Sequence, residues 1–283
     1  MNNDFPLVLA FVKDLNFSVR IESAAEAQGF EVKTIESAEQ IAPDDHFEPE
    51  HQVAEPIKGR NGIFLERITR WQPSLVIFDL GNDLIPWDEW IAIISSGSAT
   101  RGMPVISYGS HVDTETLKLA KQAGADQVYA RSKFFSELPD LIAKHAKVVD
   151  LDQMEKACKE PLPHFAIKGL EKFNRGKYFE AHDLLEMAWM QDETPGRDLY
   201  RAILQVSVAY YQVLRGNYNG AVKMFLRVRK WLDPLPDSCR GINIKKLRQE
   251  VYEINQTLVA FGPERIEEID PEMMRPVEYT ILN

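Results

Sequence analysis

Short apolar runs recur five times in the first half of the chain and then stop, and this change of period constrains the fold more than any other feature. The runs are PLVLAFV (6–12), FEVKTIE (30–36), SLVIFDL (74–80), MPVISY (103–108) and QVYA (127–130). Segments of four to seven residues that are apolar throughout, or that alternate as FEVKTIE does, suit strands, and the most continuous suit strands covered on both faces. Between them lie segments of helical period: Phe17 to Gln28, Ile63 to Trp71, Pro86 to Ser95, Thr114 to Ala123 and Lys133 to Lys144. Gly29 and Gly124 stand where two of these helices should stop, and Asp113 stands where one should be capped. Strictly alternating strands and helices predict a parallel five-stranded sheet with helices on both faces, of the flavodoxin-like α/β class. Ligands in such sheets bind at the carboxyl ends of the strands, here near Asp79, Tyr108 to His111 and Arg131.

From His164 onward only helical period remains. Helices are expected over Phe165 to Asn174, Tyr178 to Gln191, Arg197 to Leu214, Tyr218 to Leu232 and Ile244 to Phe261. An internal repeat organises four of them: Arg175-Gly176-x-Tyr178-x-x-Ala181 returns as Arg215-Gly216-x-Tyr218-x-x-Ala221. The repeat implies two helix–turn–helix units, stacked in the manner of tetratricopeptide repeats. The expected organisation is therefore an α/β domain over 1–147 with a polar insertion at 43–62, a charged linker at 148–163, an all-α, tetratricopeptide-like bundle over 164–262, and an acidic tail at 263–283.

Composition narrows the classes of function. With 283 residues, 45% of them apolar and 27% charged, the chain is long enough for two buried cores. No apolar run reaches the roughly 20 residues of a membrane helix, and the N-terminus lacks the basic stretch and cleavage site of a signal peptide. A net charge of −10 disfavours nucleic acid and anionic membrane as partners. A cationic stretch of Arg215, Lys223, Arg227, Arg229, Lys230, Arg240, Lys245, Lys246 and Arg248 reads as the solvated faces of two helices, or else as a docking surface for an anionic ligand or for the acidic first domain. Cys158 and Cys239 fall in no metal or redox spacing and point to a reducing, cytoplasmic setting. In the insertion, His46, Glu48, Glu50 and His51 are ligand-type residues without fixed spacing, and a solvated loop is the simpler reading. His111 likewise reads as a loop histidine.

The segment PSLVIFDLGND resembles the third strand of a response-regulator receiver domain, and MPVISYGSHVDTETLKLAKQAGADQVYARSKF resembles its fourth strand through the start of its last helix. The resemblance spans nearly the whole first domain and places Asp79 at the phosphoacceptor position. It also implies a magnesium-holding acidic pair after the first strand, where Phe11 and Val12 stand and only Asp14 is near. The switch hydroxyl corresponds to Gly109, flanked by Ser107 and Ser110, and the fifth-strand lysine to Arg131, followed by Ser132. These departures make a degenerate receiver, serving to bind or dimerise, the expected role. A phosphorylatable regulator at Asp79 is the alternative.

The segment FNRGKYFEAHDLLEMAW resembles the signature of the domain-of-unknown-function family 309, whose HxxxExx(W/Y) hallmark is matched by His182, Glu186 and Trp189. At i, i+4 and i+7 these three share a helix face. The resemblance implies a site proposed to bind metal, but no established reaction. Two ligands are too few for a zinc site. Further ligands on this side could come from Glu180, Asp183, Gln205 or Tyr211. The plainer alternative is a buried hydrogen-bonded pair of His182 and Glu186 with Arg201 and Gln205, packed under Trp189. A small-ligand or anion pocket on the same face is a third. No phosphate-binding glycine loop, nucleophile elbow, HExxH or CxxC occurs, so no catalytic residue is assigned. The expectation is a cytoplasmic regulatory or scaffolding protein of prokaryotic type that binds a protein partner and could form a homodimer. The competing reading is a metal- or ligand-binding protein, with enzymatic activity left open.

Overall fold

A computed structural model describes residues 6–41 and 59–282. The insertion residues His46, Glu48, Glu50 and His51 lie outside the described residues. The chain divides into two compact units, with the change at Val148 to Val149.

In the first unit the order is β1 (Leu7–Phe11), α1 (Leu15–Glu26), β2 (Glu31–Ile35), α2 (Ala38–Ile41), α3 (Gly59–Trp71), β3 (Leu75–Asp79), α4 (Trp87–Ser96), β4 (Val105–Gly109), α5 (Thr114–Ala123), β5 (Gln127–Ala130), α6 (Arg131–Ser136) and α7 (Leu138–His145). All strand pairs are parallel and the order is β2-β1-β3-β4-β5. This is the doubly wound order with its switch point between β1 and β3. β1, β3 and β4 are buried at every position because helices cover both faces, whereas the edge strands β2 and β5 are partly exposed. One face packs Phe11, Phe78, Phe64 and Trp90 in consecutive ring contacts, with Phe11 stacked on Phe78 at 4.6 Å and Phe64 on Trp90 at 4.1 Å. The other face packs Val8, Ala10 and Tyr108 under α1, α6 and α7. Asp113 caps α5 by accepting from the Thr116 amide at 3.1 Å, and Gly124 ends that helix at φ +112°.

Two boundaries differ from the sequence reading. The last helix is split into α6 and α7 at Glu137, whose φ/ψ of −112°/12° leaves the helical region just ahead of Pro139. Gly59 to Gly62, expected in the insertion, form the first turn of α3.

The second unit runs α8 (Leu151–Cys158), α9 (His164–Asn174), α10 (Tyr178–Gln191), α11 (Asp198–Leu214), α12 (Tyr218–Leu232), the two-residue strands β6 (Ser238–Cys239) and β7 (Ile242–Asn243), and α13 (Ile244–Phe261). The repeat is visible as two helical hairpins, α9–α10 and α11–α12. Gly176 and Gly216 turn the chain at φ +70° and +65°, conformations costly for residues with a side chain. Tyr178 and Tyr218 follow each turn as buried anchors. Gly169 lets α9 approach α10 closely: a Cβ there would stand 2.8 Å from Leu185 Cγ.

Residues 148–163 are not a free connection. Asp150 caps α8, and Met154, Cys158 and Leu162 join the core of the helical unit. Cys158 is disulfide-bonded to Cys239. The spacing argument for free thiols fails here because a separation of 81 residues carries no information about where the fold brings two sulfurs together. Nor is Arg240 on a solvated face. It is 3% exposed, at φ +51°, and its guanidinium reaches Tyr200 Oη (2.6 Å), Asp192 Oδ2 (2.8 Å), Glu160 Oε2 and Thr194 Oγ1 (both 3.0 Å). The acidic tail is also part of this unit. Val277 is buried and exchanges two hydrogen bonds with the Asn174 side chain, at 2.9 and 2.7 Å, and Tyr279 bridges to Ile242.

Candidate functional sites

Three of the residues expected at the strand ends of the first unit meet in one cleft of about 350 Å³: Asp14, Asp79 and Arg131, with Lys13, Phe17 and Gly81. Asp79 ends β3 and is 5% exposed. Its Oδ1 accepts from the Gly81 amide at 2.9 Å and lies 3.6 Å from Arg131 Nη2. Burial pushes the Asp79 carboxyl above its usual range, and the Gly81 hydrogen bond and the Arg131 charge pull against that. Tyr108, its neighbour across β3 and β4, is fully buried, and burial together with the Asp79 charge pushes its phenol far up. The two groups influence each other electrostatically, but the Tyr108 hydroxyl forms no hydrogen bond of good geometry.

Asp14 faces the cleft but is engaged as the N-cap of α1, accepting from the Asn16 amide at 2.8 Å. Phe11 and Val12 are fully buried in the two faces of the sheet, so hydrocarbon fills the positions of the expected acidic pair. Lys13 pairs with Asp83 at 2.9 Å. Gly109 belongs to neither this cleft nor the larger one beside it. Leu117 and Leu80 crowd the place a Cβ would take at that position, at 3.2 and 3.4 Å.

In the helical unit, α10 and α11 run antiparallel, with Trp189 against Arg201 at one end and Phe179 against Tyr211 at the other. Arg201 is sandwiched between indoles, 4.7 Å from the Trp189 ring and 3.9 Å from the Trp231 ring of α12. Arg197 lies over the Trp189 ring at 4.6 Å. Such stacks retain their attraction when partly desolvated. Burial lowers the Arg201 pKa, and the Arg227 charge adds to the effect. Asp198 nearby is shifted up by burial against the pull of Arg201, Arg197 and Lys230.

The sequence reading of a buried His182–Glu186 pair is corrected here. His182 Nδ1 pairs with its neighbour Asp183 at 3.1 Å, and Glu186 is exposed and forms no hydrogen bond with the histidine. The stripe turns both side chains away from the core, which the face of Leu185 and Ala188 already fills. Glu180 is taken by Lys172 and Lys177. Among the described residues no three His, Cys, Asp or Glu side chains gather closely enough to hold a metal ion. Gln205, by contrast, is 7% exposed, and its Oε1 has no hydrogen-bond partner. The indole Nε1 atoms of Trp189 and Trp231 are buried and unpartnered too.

Sequence reasoning missed Trp231, Arg197 and the Arg240 cluster. Trp231 lay outside the motif, and nothing in the spacing distinguishes a fully buried Arg240 from the half-buried Arg227, Arg229 and Arg248.

The fold defines a doubly wound parallel α/β unit followed by a helical unit. The family profile described as a domain of unknown function (DUF309) matches residues 166–224, from α9 into α12. That span holds His182, Glu186, Trp189, Arg201 and Gln205. No curated protein matches the chain in sequence. Among solved structures, the first unit resembles response-regulator receiver domains at low identity. The chemotaxis response regulator CheY4 of Vibrio cholerae is 14% identical, with 50% of this chain and 98% of that chain covered, at a TM-score of 0.37. A response regulator from Hahella chejuensis is 13% identical over 49% and 92%, at 0.37. The orphan response regulator HP1043 of H. pylori is 19% identical over 49% and 92%, at 0.33. No helix of the described residues is long and apolar enough to cross a membrane.

Proposed function

We propose that this chain is a regulatory binding protein in which the receiver-like unit works without phosphorylation of Asp79 and the helical unit engages a protein partner. The observation that carries this reading is the setting of Asp79. Its carboxyl is buried, raised in pKa and faced by the Arg131 guanidinium. Hydrocarbon occupies the positions from which a second and third carboxylate would hold a hard cation. A carboxyl disfavoured as an anion, beside positions where hydrocarbon leaves no further carboxylate to hold a hard cation, is a poor nucleophile for that chemistry. The partner surface is supported by α10, which exposes Phe179, Met187 and Met190, with Leu214 exposed on α11. The test is intact mass of the purified chain after incubation with acetyl phosphate and Mg²⁺. No phosphoryl increment is expected, and a stoichiometric increment lost in Asp79→Asn would replace this reading with a working response regulator.

A second reading is favoured by the orphaned Gln205 Oε1 beside Arg201. Buried acceptors are rarely left unpaired, and a small ligand supplying a donor there would complete the set. Calorimetric titration with small carboxylates and amides, in the parent and in Gln205→Leu, separates the two.

A further inference from the structure

Beside the Asp79 cleft, and sharing Phe17 and Arg131 with it, a larger opening of about 450 Å³ lies over the carboxyl end of the sheet. Its floor is aromatic: Phe17 of α1 stacks on Phe135 of α6 with ring centroids 4.7 Å apart. A guanidinium lies on each ring, Arg131 over Phe17 at 5.1 Å and Arg20 over Phe135 at 4.5 Å. The remaining wall consists of His111 and the hydroxyls of Ser110, Ser132 and Ser136. No carboxylate lines the opening.

The two guanidiniums are under-used. Arg20 donates to the Phe135 carbonyl at 3.0 Å but has no carboxylate partner among the described residues. Arg131 stands 3.6 Å from Asp79, beyond hydrogen-bond distance, and its buried Nε has no acceptor. Guanidinium carries five donors in a fixed fork, and here Arg131 makes no well-formed hydrogen bond. Ser136 spends its hydroxyl proton on the Lys133 carbonyl at 2.9 Å, so the donors left for a guest are the guanidiniums, the imidazole and the hydroxyls of Ser110 and Ser132. A cavity whose polar lining consists of cationic donors, an imidazole and hydroxyls, with no acid, suits an oxyanion and repels a cation.

We propose that this cleft binds a phosphate-type oxyanion non-covalently, free or carried on a small organic molecule, through Arg131, Arg20 and His111. The bound anion competes with Asp79 for the Arg131 guanidinium, so occupancy is coupled to the loosest ion pair at the strand ends. The inference goes beyond the proposed function and involves no residue of the helical unit.

The test is a titration of the full chain with inorganic phosphate and, separately, with glycerol phosphate, read by heat and by amide ¹H–¹⁵N shifts. Inorganic phosphate is not a phosphodonor, so its signal reports the non-covalent site alone. Saturable one-to-one binding is expected, with the largest shifts at residues 110–111 and 131–136. Arg131→Gln should weaken it at least tenfold, and Asp79→Asn should tighten it several-fold by removing the competing carboxylate. His111 and Ser132 are exposed, so His111→Gln and Ser132→Ala retain the fold even if Arg131→Gln does not. A several-fold loss is expected from each. Tighter binding of the ester assigns the organic part to the Phe17–Phe135 floor, and equal binding assigns the free anion. Absence of saturable binding by either compound overturns the proposal, as does binding undiminished in His111→Gln and Arg131→Gln.

Discussion

Asp79 is the residue at which burial and charge pull in opposite directions. Its pKa is raised from 3.8, with burial outweighing the Gly81 amide and Arg131. A carboxyl that holds its proton more tightly when folded gives a definite sign to the pH dependence. Below pH 3.8 both folded and unfolded chains are protonated at this site, and no penalty exists. As the pH climbs from there through the raised folded value, the folded protein must ionise a buried group, and stability is lost. Asp79→Asn keeps an oxygen for the Gly81 amide and cannot ionise. The variant should therefore be more stable than the parent at pH 7, with the advantage narrowing as the pH is lowered toward 3.8. Urea unfolding at three pH values, followed by near-ultraviolet dichroism, reads this directly. A variant less stable at pH 7 would mean that the Arg131 pair, at 3.6 Å, outweighs the burial of the carboxylate.

Among elements, α10 shows how far a pattern can be read and where reading fails. Its start after Gly176 and the sharing of one stripe by His182, Glu186 and Trp189 were legible from period and turn chemistry. The five strands and their parallel arrangement were legible for the same reason, since three of them are apolar at almost every position. What each side chain of the stripe touches was not legible, because that depends on how α11 and α12 pack across it. His182 and Glu186 fall on the open side, whereas Trp189 falls where Arg201 and Trp231 converge. The sulfur pair, the buried Arg240 and the folded tail were hidden for a related reason. Each is a contact between segments far apart in sequence, made by residue types that are usually exposed or unpaired. The contrast within the stripe is measurable. His182→Ala should change stability by no more than about 0.5 kcal/mol, as at other sites that lack a buried partner. A double-mutant cycle of Trp189→Leu and Arg201→Met should return a coupling of about 0.5–2 kcal/mol. Coupling near zero would make the stack a coincidence of packing.

At the scale of the molecule, each unit is built on apolar clusters of its own. The α/β unit rests on two apolar clusters, one on each face of its sheet, and the helical unit rests on a third that runs from Met154 in α8 to Val277 in the tail. The Cys158–Cys239 disulfide lies wholly within the third. It closes a loop of 81 residues that contains α9 to α12, so in the chain-entropy account it stabilises the helical unit by about 4.5 kcal/mol. Arg240, next to Cys239, is held by four side chains from two other segments, and its backbone amide donates to the Cys158 carbonyl, so the bond and the polar cluster support each other. Calorimetry of the oxidised chain should then resolve two transitions. A reductant, or Cys239→Ser, should lower one of them by several degrees and leave the other in place. Asp79→Asn at pH 7 should raise the transition that the reductant leaves alone. This pairing of perturbations is more discriminating than either alone, because a single cooperative unit would respond to both in one peak. If the two perturbations move the same transition, the units share a folding unit and the boundary at Val148 is not a boundary in stability.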